Sequence, residues 1–155
     1  MPIRFAKHED LERINELRRQ VNELHVEGEP EIFKPGFSDE LRDHIYKVFN
    51  DPLQRIVIYD NEGVICAFAV LNHIIRTENP FMYKRDYLDI DEFCVDESFR
   101  RMGIAAEMIS FIREYAKTCG FERLELNMWE FNKDALAFYE AVGFETYRRY
   151  MVMKL

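Results

Sequence analysis

Glycine and proline are scarce, at six and five residues in 155. That excludes collagen-like and low-complexity chains, which need far more of both. Cysteine is scarcer still: Cys66, Cys94 and Cys119 are odd in number and follow no zinc spacing. Cys66 and Cys94 lie in apolar, strand-like runs and read as small core hydrophobes. No apolar stretch approaches roughly 18 residues, so no membrane span is expected. No secretory leader is legible, since Met1–Phe5 runs straight into a charged helix. A reduced, soluble, cytoplasmic protein is the expectation. A basic excess is also missing: 21 Lys and Arg stand against 29 Asp and Glu, a net charge of −8. Nucleic acid is therefore not an expected partner, because displacing counterions from phosphates takes the opposite sign. An acidic surface suits cationic ligands such as amines, although acidity also serves solubility alone.

Core-forming material is ample, at 48% hydrophobic and 14% aromatic residues. This excludes a disordered chain. The length has room for one domain, residues 1–155, able to bury roughly 70% of the surface exposed by its unfolded chain.

A short strand is expected over Ile3–Ala6. From Glu9 to Leu24, Leu11, Ile14, Leu17, Val21 and Leu24 recur at helical spacing. His25–Phe37 breaks that period with Gly28, Pro30, Pro35 and Gly36. Ser38 can cap a second helix carrying Leu41, Ile45, Val48 and Phe49 on one stripe, ended by Asn50-Asp51-Pro52. Arg55–Tyr59, a turn at Asp60–Gly63 and a long strand Val64–Ile75 form a hairpin signal. Thr77–Asp86 reads as a loop and Tyr87–Val95 as a strand. Gly103–Thr118 is helical and stopped by Gly120. Leu124–Met128 is a strand, Asn132 caps a last helix through Val142, and Phe144–Leu155 is expected to be strand. The order β-α-α-β-β-β-α-β-α-β predicts an α/β (α+β) architecture: a mixed, mostly antiparallel central sheet flanked by helices.

The most informative stretch runs from Asp91 to Ala105, where a strand gives way to a loop and then a long helix. A helix start leaves amide N–H groups free and carries partial positive charge, which makes it a phosphate site. Gly103 lets a pyrophosphate approach the backbone. Arg100 and Arg101 add positive charge. An ordinary strand-to-helix turn with two solvated arginines would look the same on these residues alone.

In its context the stretch resembles the GCN5-related N-acetyltransferase family. That family's signature of Arg or Gln, two residues, Gly, one residue, then Gly or Ala is matched by Arg100, Arg101-Met102, Gly103, Ile104 and Ala105. Asn132 to Phe144, with its Asn, Ala, Phe-Tyr and Gly-Phe, is similar to the family's fourth helix. The resemblance covers nearly the whole chain by element order, most strongly residues 87 to 144. It implies the acyl-CoA N-acyltransferase fold and acetyl-CoA as cosubstrate. It implies that the amides of Arg101, Met102, Gly103, Ile104 and Ala105, with Arg100 nearby, hold the pyrophosphate. Main-chain groups of Phe93, Cys94 and Val95 would pair with the pantetheine, Asn132 would hydrogen-bond the arm, and Ala135 and Phe138 of the same helix would line it. Tyr139 would face the thiol.

Acetyl transfer needs a free amine lone pair, yet a primary alkyl amine is mostly protonated at neutral pH, with a pKa near 10.4. A proton acceptor is required, with a donor for the oxyanion and an acid for the thiolate. Glu92 is the candidate base. If strand alternation holds, it shares a face with Leu88, Ile90 and Cys94, where its pKa would rise; a bulge would change that phase. Pairing with an arginine is the structural alternative. Tyr139 is the candidate acid, with core packing as its alternative.

For the acceptor, the resemblance directs attention to His25–Phe37. His25, Glu27 and Phe33 offer charge and cation–π contacts to an amine, or form a solvated acidic loop. Tyr83, with Phe81 and Met82, is a candidate opposite wall, or a dimer contact. The acidic run Asp86–Glu97 fails the calcium-loop pattern, and the four histidines are scattered, so no metal is expected. No Gly-x-Ser-x-Gly or Cys-His arrangement supports a covalent nucleophile, which favours direct transfer. The expected function is acetyl-CoA-dependent N-acetylation of a primary amine of a small molecule. The alternatives are a protein or peptide amine acceptor, or a non-catalytic acyl-CoA-binding module. The resemblance also leaves room for a homodimer.

Overall fold

The computed structural model describes residues 1–155. Its sheet is built around a hairpin. Strand β2 (Gln54–Asn61) and β3 (Val64–Arg76) flank Glu62-Gly63, which both adopt positive φ, 53° and 92°. That is the two-residue turn whose twist matches the strands. β1 (Ile3–Phe5) pairs antiparallel with β2, and β4 (Arg85–Val95) antiparallel with β3. β5 (Leu124–Leu126) lies parallel to β4. The spatial order is β1-β2-β3-β4-β5, so the sheet is mixed and mostly antiparallel, as the sequence implies. A parallel neighbour needs a crossover, and α3 (Ile104–Thr118) supplies it.

Strand alternation sends side chains to two cores. On one face Ile56, Ile58, Phe68 and Val70 meet Leu11, Ile14 and Leu17 of α1 (Leu11–Gly28) and Ile45 and Val48 of α2 (Asp39–Asn50). On the other, Val57, Ala67, Ala69, Leu71, Leu88 and Ile90 meet Ile104, Met108, Ile109, Ile112 and Ala116 of α3. Phe138 and Tyr139 of α4 (Lys133–Ala141) are half-buried against this second core.

Both sequence-predicted caps are formed. The Ser38 hydroxyl accepts from the Leu41 amide at 3.3 Å, and the Asn132 side-chain oxygen from the Ala135 amide at 3.2 Å. Near the N-terminus, Arg4 bridges Asp10 at 2.8 Å and Asp60 at 2.9 Å, tying the entry to α1 to the end of β2. Cys66 and Cys94 are buried and unpaired.

Four expectations need correction. α1 does not stop at Leu24 but continues to Gly28, and the Glu29 amide still donates to the His25 carbonyl at 2.8 Å. No residue between Leu24 and Gly28 disfavours the helix strongly enough to end it. β4 starts at Arg85, inside the expected loop, and β5 stops at Leu126 rather than Met128. Phe144–Leu155 is not a strand: residues 145–155 are exposed and have no backbone–backbone hydrogen bond. Despite its β-rich composition it forms no backbone ladder with any strand of the sheet. The facing of Glu92, which the sequence left to the presence or absence of a bulge, is settled as well: β4 carries one. Leu71 pairs with Ile90 and Val70 with Glu92, leaving Asp91 as the extra residue. An extra residue reverses the side-chain phase beyond it. Glu92 and Cys94 therefore face α1, away from Leu88 and Ile90.

Candidate active site

β4 is the axis of the site. β5 pairs it only through Leu88, Asp89 and Ile90. Beyond Ile90 the two parallel strands part, and β4 continues through Asp91–Val95 with β3 on one side and an unpaired edge on the other. Unpaired edges are templates for extended chains that carry amides.

The β4 edge leads into the loop before α3. Asp96 anchors its entry: its carboxylate accepts from the Ser98 amide at 3.0 Å and from the Arg13 guanidinium. The Arg100 side chain folds back to donate to the Val95 carbonyl at 3.3 Å. Arg101 then adopts φ 63° and Gly103 φ 81°. Alternating left-handed residues turn successive N–H groups toward one concavity, a natural anion nest. The first helical backbone bond runs from the Glu107 amide to the Gly103 carbonyl at 3.1 Å. The amides of Gly103, Ile104, Ala105 and Ala106 precede it and have no intrahelical acceptor. Gly103 caps α3 without any side chain, and a Cβ placed there would meet no atom within 4 Å. Space, donors and dipole suit a pyrophosphate.

Glu92 lies on the α1 side of β4. The Arg18 Nε donates to both of its oxygens, at 3.2 and 3.1 Å. Arg18 is itself 6% exposed, and its Nη1 donates to Asn15 Oδ1 at 3.0 Å and to the Leu41 carbonyl. The Glu92 side chain keeps 26% of its surface exposed. Burial pushes its carboxyl above the ordinary value, and the charge of Arg18 pulls the other way; burial wins. Glu92 thus combines the base-like environment with the arginine pairing that was its structural alternative.

On the opposite face, the Phe93 ring stacks on Phe138 with centroids 6.4 Å apart, and Tyr139 meets Phe93 edge-on at the same separation. Tyr139 also packs against Phe138 at 5.4 Å and Phe144 at 5.7 Å. Burial, then the nearby Cys94, push its phenol up to about 12. Cys94 is likewise lifted to about 12 by burial, so it is a neutral thiol. Asn132 uses its oxygen as the α4 cap, which leaves its amide nitrogen available.

At the end of α1, His25 stacks on Phe33 at 4.7 Å and meets Phe131 edge-on at 6.1 Å, while Phe33 meets Trp129 at 5.1 Å. Burial lowers the His25 pKa. Glu27 is exposed on the last turn of α1. Tyr83 stands apart: it is 86% exposed on the loop between β3 and β4 and has no part in this aromatic cluster.

Sequence reasoning missed Arg18, Trp129 and Phe131. Arg18 had a signal: it follows Ile14 by four residues, so it sits on the apolar stripe of α1, where a charge needs a partner. The two aromatics had none, because they join the site only through tertiary packing.

The fold is that of N-acetyltransferases. A mutant of the BH1408 protein from Bacillus halodurans superposes with a TM-score of 0.95 at 28% identity, covering 100% of this chain and 99% of that one. Aminoglycoside N-acetyltransferase AAC(6')-Iy, solved in complex with CoA, superposes at 0.75 with 20% identity, covering 99% and 93%. The family model described as acetyltransferase (GNAT) family matches residues 4–144, and this chain belongs to that family. An uncharacterized N-acetyltransferase, YjgM of Escherichia coli, is 25% identical over 70% of this chain and 61% of its own length. A thialysine N-epsilon-acetyltransferase of Caenorhabditis elegans is 34% identical over 37% of this chain and 36% of its own. The chain thus spans less than two thirds of the curated relatives it matches. No helix is long and apolar enough to cross a membrane.

Proposed function

We propose that residues 1–155 act as one acetyl-CoA-dependent N-acetyltransferase domain that transfers acetyl directly to a primary amine of a small molecule. One observation carries the reading: the open β4 edge at Phe93–Val95 runs into the nest at Arg101–Gly103, with Tyr139 packed beside it. The amides of Arg101, Met102, Gly103, Ile104 and Ala105 would hold the pyrophosphate, with Arg100 adding charge. Main-chain groups of Phe93, Cys94 and Val95 would pair with the pantetheine amides. Ala135 and Phe138 would line the arm, and Asn132 would donate its amide N–H to it.

Acetyl-CoA supplies the activated thioester. Glu92, directly or through water, takes one proton from the acceptor ammonium. A β4 amide polarises the thioester carbonyl. As the C–N bond forms and the C–S bond breaks, Tyr139 gives its hydroxyl proton to sulfur. The second nitrogen proton restores Tyr139 through water. A phenol lifted to about 12 stays protonated for this task. The reading uses no metal.

His25, Glu27 and Phe33 would form one wall for a cationic acceptor; Tyr83, exposed on the β3–β4 loop, lies outside that wall. The relative named for thialysine supports a small amine over a peptide. Three free thiols fit a reduced, cytoplasmic setting. Thiol release across a panel of amines tests the proposal. Glu92→Gln and Tyr139→Phe should each lower turnover on the order of 100-fold while CoA affinity holds. Undiminished turnover in both would remove their roles. CoA binding without acetylation of any amine would favour a binding module.

A further inference from the structure

Helix α1 places a charge where its pattern calls for an apolar residue. Arg18 follows Ile14 by four positions and precedes Val21 by three, so it belongs to the stripe that packs on the sheet. It is 6% exposed. A buried guanidinium loses its hydration, and an ion pair seldom stabilises a core more than a well-packed apolar residue would. Stability alone therefore gives a weak reason for an arginine at this position. Its contacts give a stronger one.

The guanidinium joins three elements. Nη1 donates to Asn15 Oδ1 on α1 at 3.0 Å and to the Leu41 carbonyl in the first turn of α2. Asn15 in turn donates to the neighbouring Arg42 carbonyl at 3.2 Å. The centre of the Phe37 ring, in the α1–α2 connection, lies 5.6 Å from the guanidinium carbon. The third element is β4. Here Nε alone reaches Glu92, shared between Oε1 at 3.2 Å and Oε2 at 3.1 Å. A two-pronged fork would engage each oxygen with its own N–H. A single shared N–H holds the carboxylate end-on and leaves most of its lone pairs free. The 26% of the Glu92 side chain that stays exposed gives a proton donor access to them.

Few charges surround Glu92. Arg18 faces it from α1 and His44 from α2, both favouring the carboxylate, and Asp91 on β4 opposes it. Cys94, two residues on, is a neutral thiol, and Val70 is its neighbour across the β3 ladder. Burial pushes the carboxyl up more than the cations pull it down. Without Arg18 it would rise further and be protonated more of the time at neutral pH, when it accepts nothing.

We infer that Arg18 is a positioning residue: it holds the Glu92 carboxylate in one orientation and keeps it charged, while touching neither acceptor nor cosubstrate. This role rests on Glu92 as the base proposed above.

Thiol release from acetyl-CoA across pH, with thialysine and the other amines of the panel as acceptors, tests it. Arg18→Met removes charge and fork together. It should move the acid limb of kcat/KM up by about one pH unit or more. It should also lower kcat at neutral pH on the order of 30-fold, with KM for acetyl-CoA unchanged. Arg18→Lys keeps the charge on a point donor. Its limb should stay within about half a unit of wild type while kcat falls about tenfold. In a Glu92→Gln background, Arg18→Met should change kcat less than about twofold, because both residues act through one carboxylate. Circular dichroism shows whether each variant folds; Arg18→Lys, which leaves no buried carboxylate without a cation, carries the test if Arg18→Met does not.

An unmoved limb in Arg18→Met, wild-type kcat in Arg18→Lys, or an equal loss in the Glu92→Gln background overturns the role. A change confined to KM overturns it as well, since that would be a structural part alone. Carbon-13 titration of the Glu92 carboxyl needs no acceptor. Its midpoint should rise by about one unit in Arg18→Met, and an unmoved midpoint overturns the role even where no amine turns over. Undiminished turnover in Glu92→Gln would instead remove the base itself, whereas a failure of Arg18 alone leaves the loss in Glu92→Gln intact.

Discussion

On one flank of the sheet, α1 and α2 shut Leu11, Ile14, Leu17 and Ile45 off from water completely. On the other flank, the chain after Ala116 contains no buried residue, although α4, Tyr139 and Phe144 lie there. Both flanks are rich in apolar side chains, so composition does not separate them. The difference is partnership. The first flank packs helices against a fully paired strand hairpin. The second has an open β4 edge, a three-residue β5 and a tail without a ladder. Helix α3 seals the second flank too, with Met108 and Ile112 shut off completely; the surfaces available for a cosubstrate lie beyond it, along the open β4 edge and in the chain after Ala116. Low local stability where ligands bind is a general property of functional elements.

Truncations test this contrast most strongly. Phe68→Ala, in the sealed core, should cost about 3–5 kcal/mol in denaturant unfolding, whereas Leu126→Ala on β5 should cost under about 1 kcal/mol. Equal costs would erase the distinction between flanks. At the open edge, Gly103→Ala forces a side chain into a left-handed position, φ 81°, worth about 1–2 kcal/mol. That should weaken acetyl-CoA binding roughly tenfold in a calorimetric titration.

A pH profile sharpens the comparison further. Burial raises Glu92 above its ordinary 4.5, so kcat/KM should climb on the acid side with an apparent pKa above that value. Tyr139, at about 12, should not limit the rate until strongly alkaline pH. Glu92→Gln should abolish the acid limb. An unaltered limb would assign the proton to another group.

The smallest effect concerns Arg4. Burial pushes Asp10 up, but hydrogen bonds from Arg4 and the Lys7 amide outweigh it and hold Asp10 below its ordinary 3.8. A depressed carboxyl contributes stability above its unfolded pKa and loses it as pH falls through the folded one. Arg4→Ala should therefore cost about 1 kcal/mol near neutrality, with the deficit closing in acid. Thermal unfolding across pH measures it.

Much of this was legible in the residues. Element order as far as α4, both caps, the hairpin turn and the Arg100–Ala105 signature follow from local patterns, because each depends on neighbours a few residues away. The facing of Glu92 was not legible. It turns on one extra residue, Asp91, and a bulge leaves no mark in a run that alternates poorly. Its tie to Arg18 spans 74 positions, and the His25–Phe33–Trp129 cluster joins two loops; tertiary packing alone sets both. The tail misled for a related reason: β propensity describes a residue's fit to a partner surface, and no strand of the sheet pairs with it.

Titration of the purified protein with acetyl-CoA, and with CoA alone, tests the central claim most directly. The account predicts one site per chain, micromolar affinity for both ligands, and weakening by Gly103→Ala. A folded sample that binds neither would mean that the loop from Arg100 to Ala105 is only a turn, and the proposed activity would fall with it.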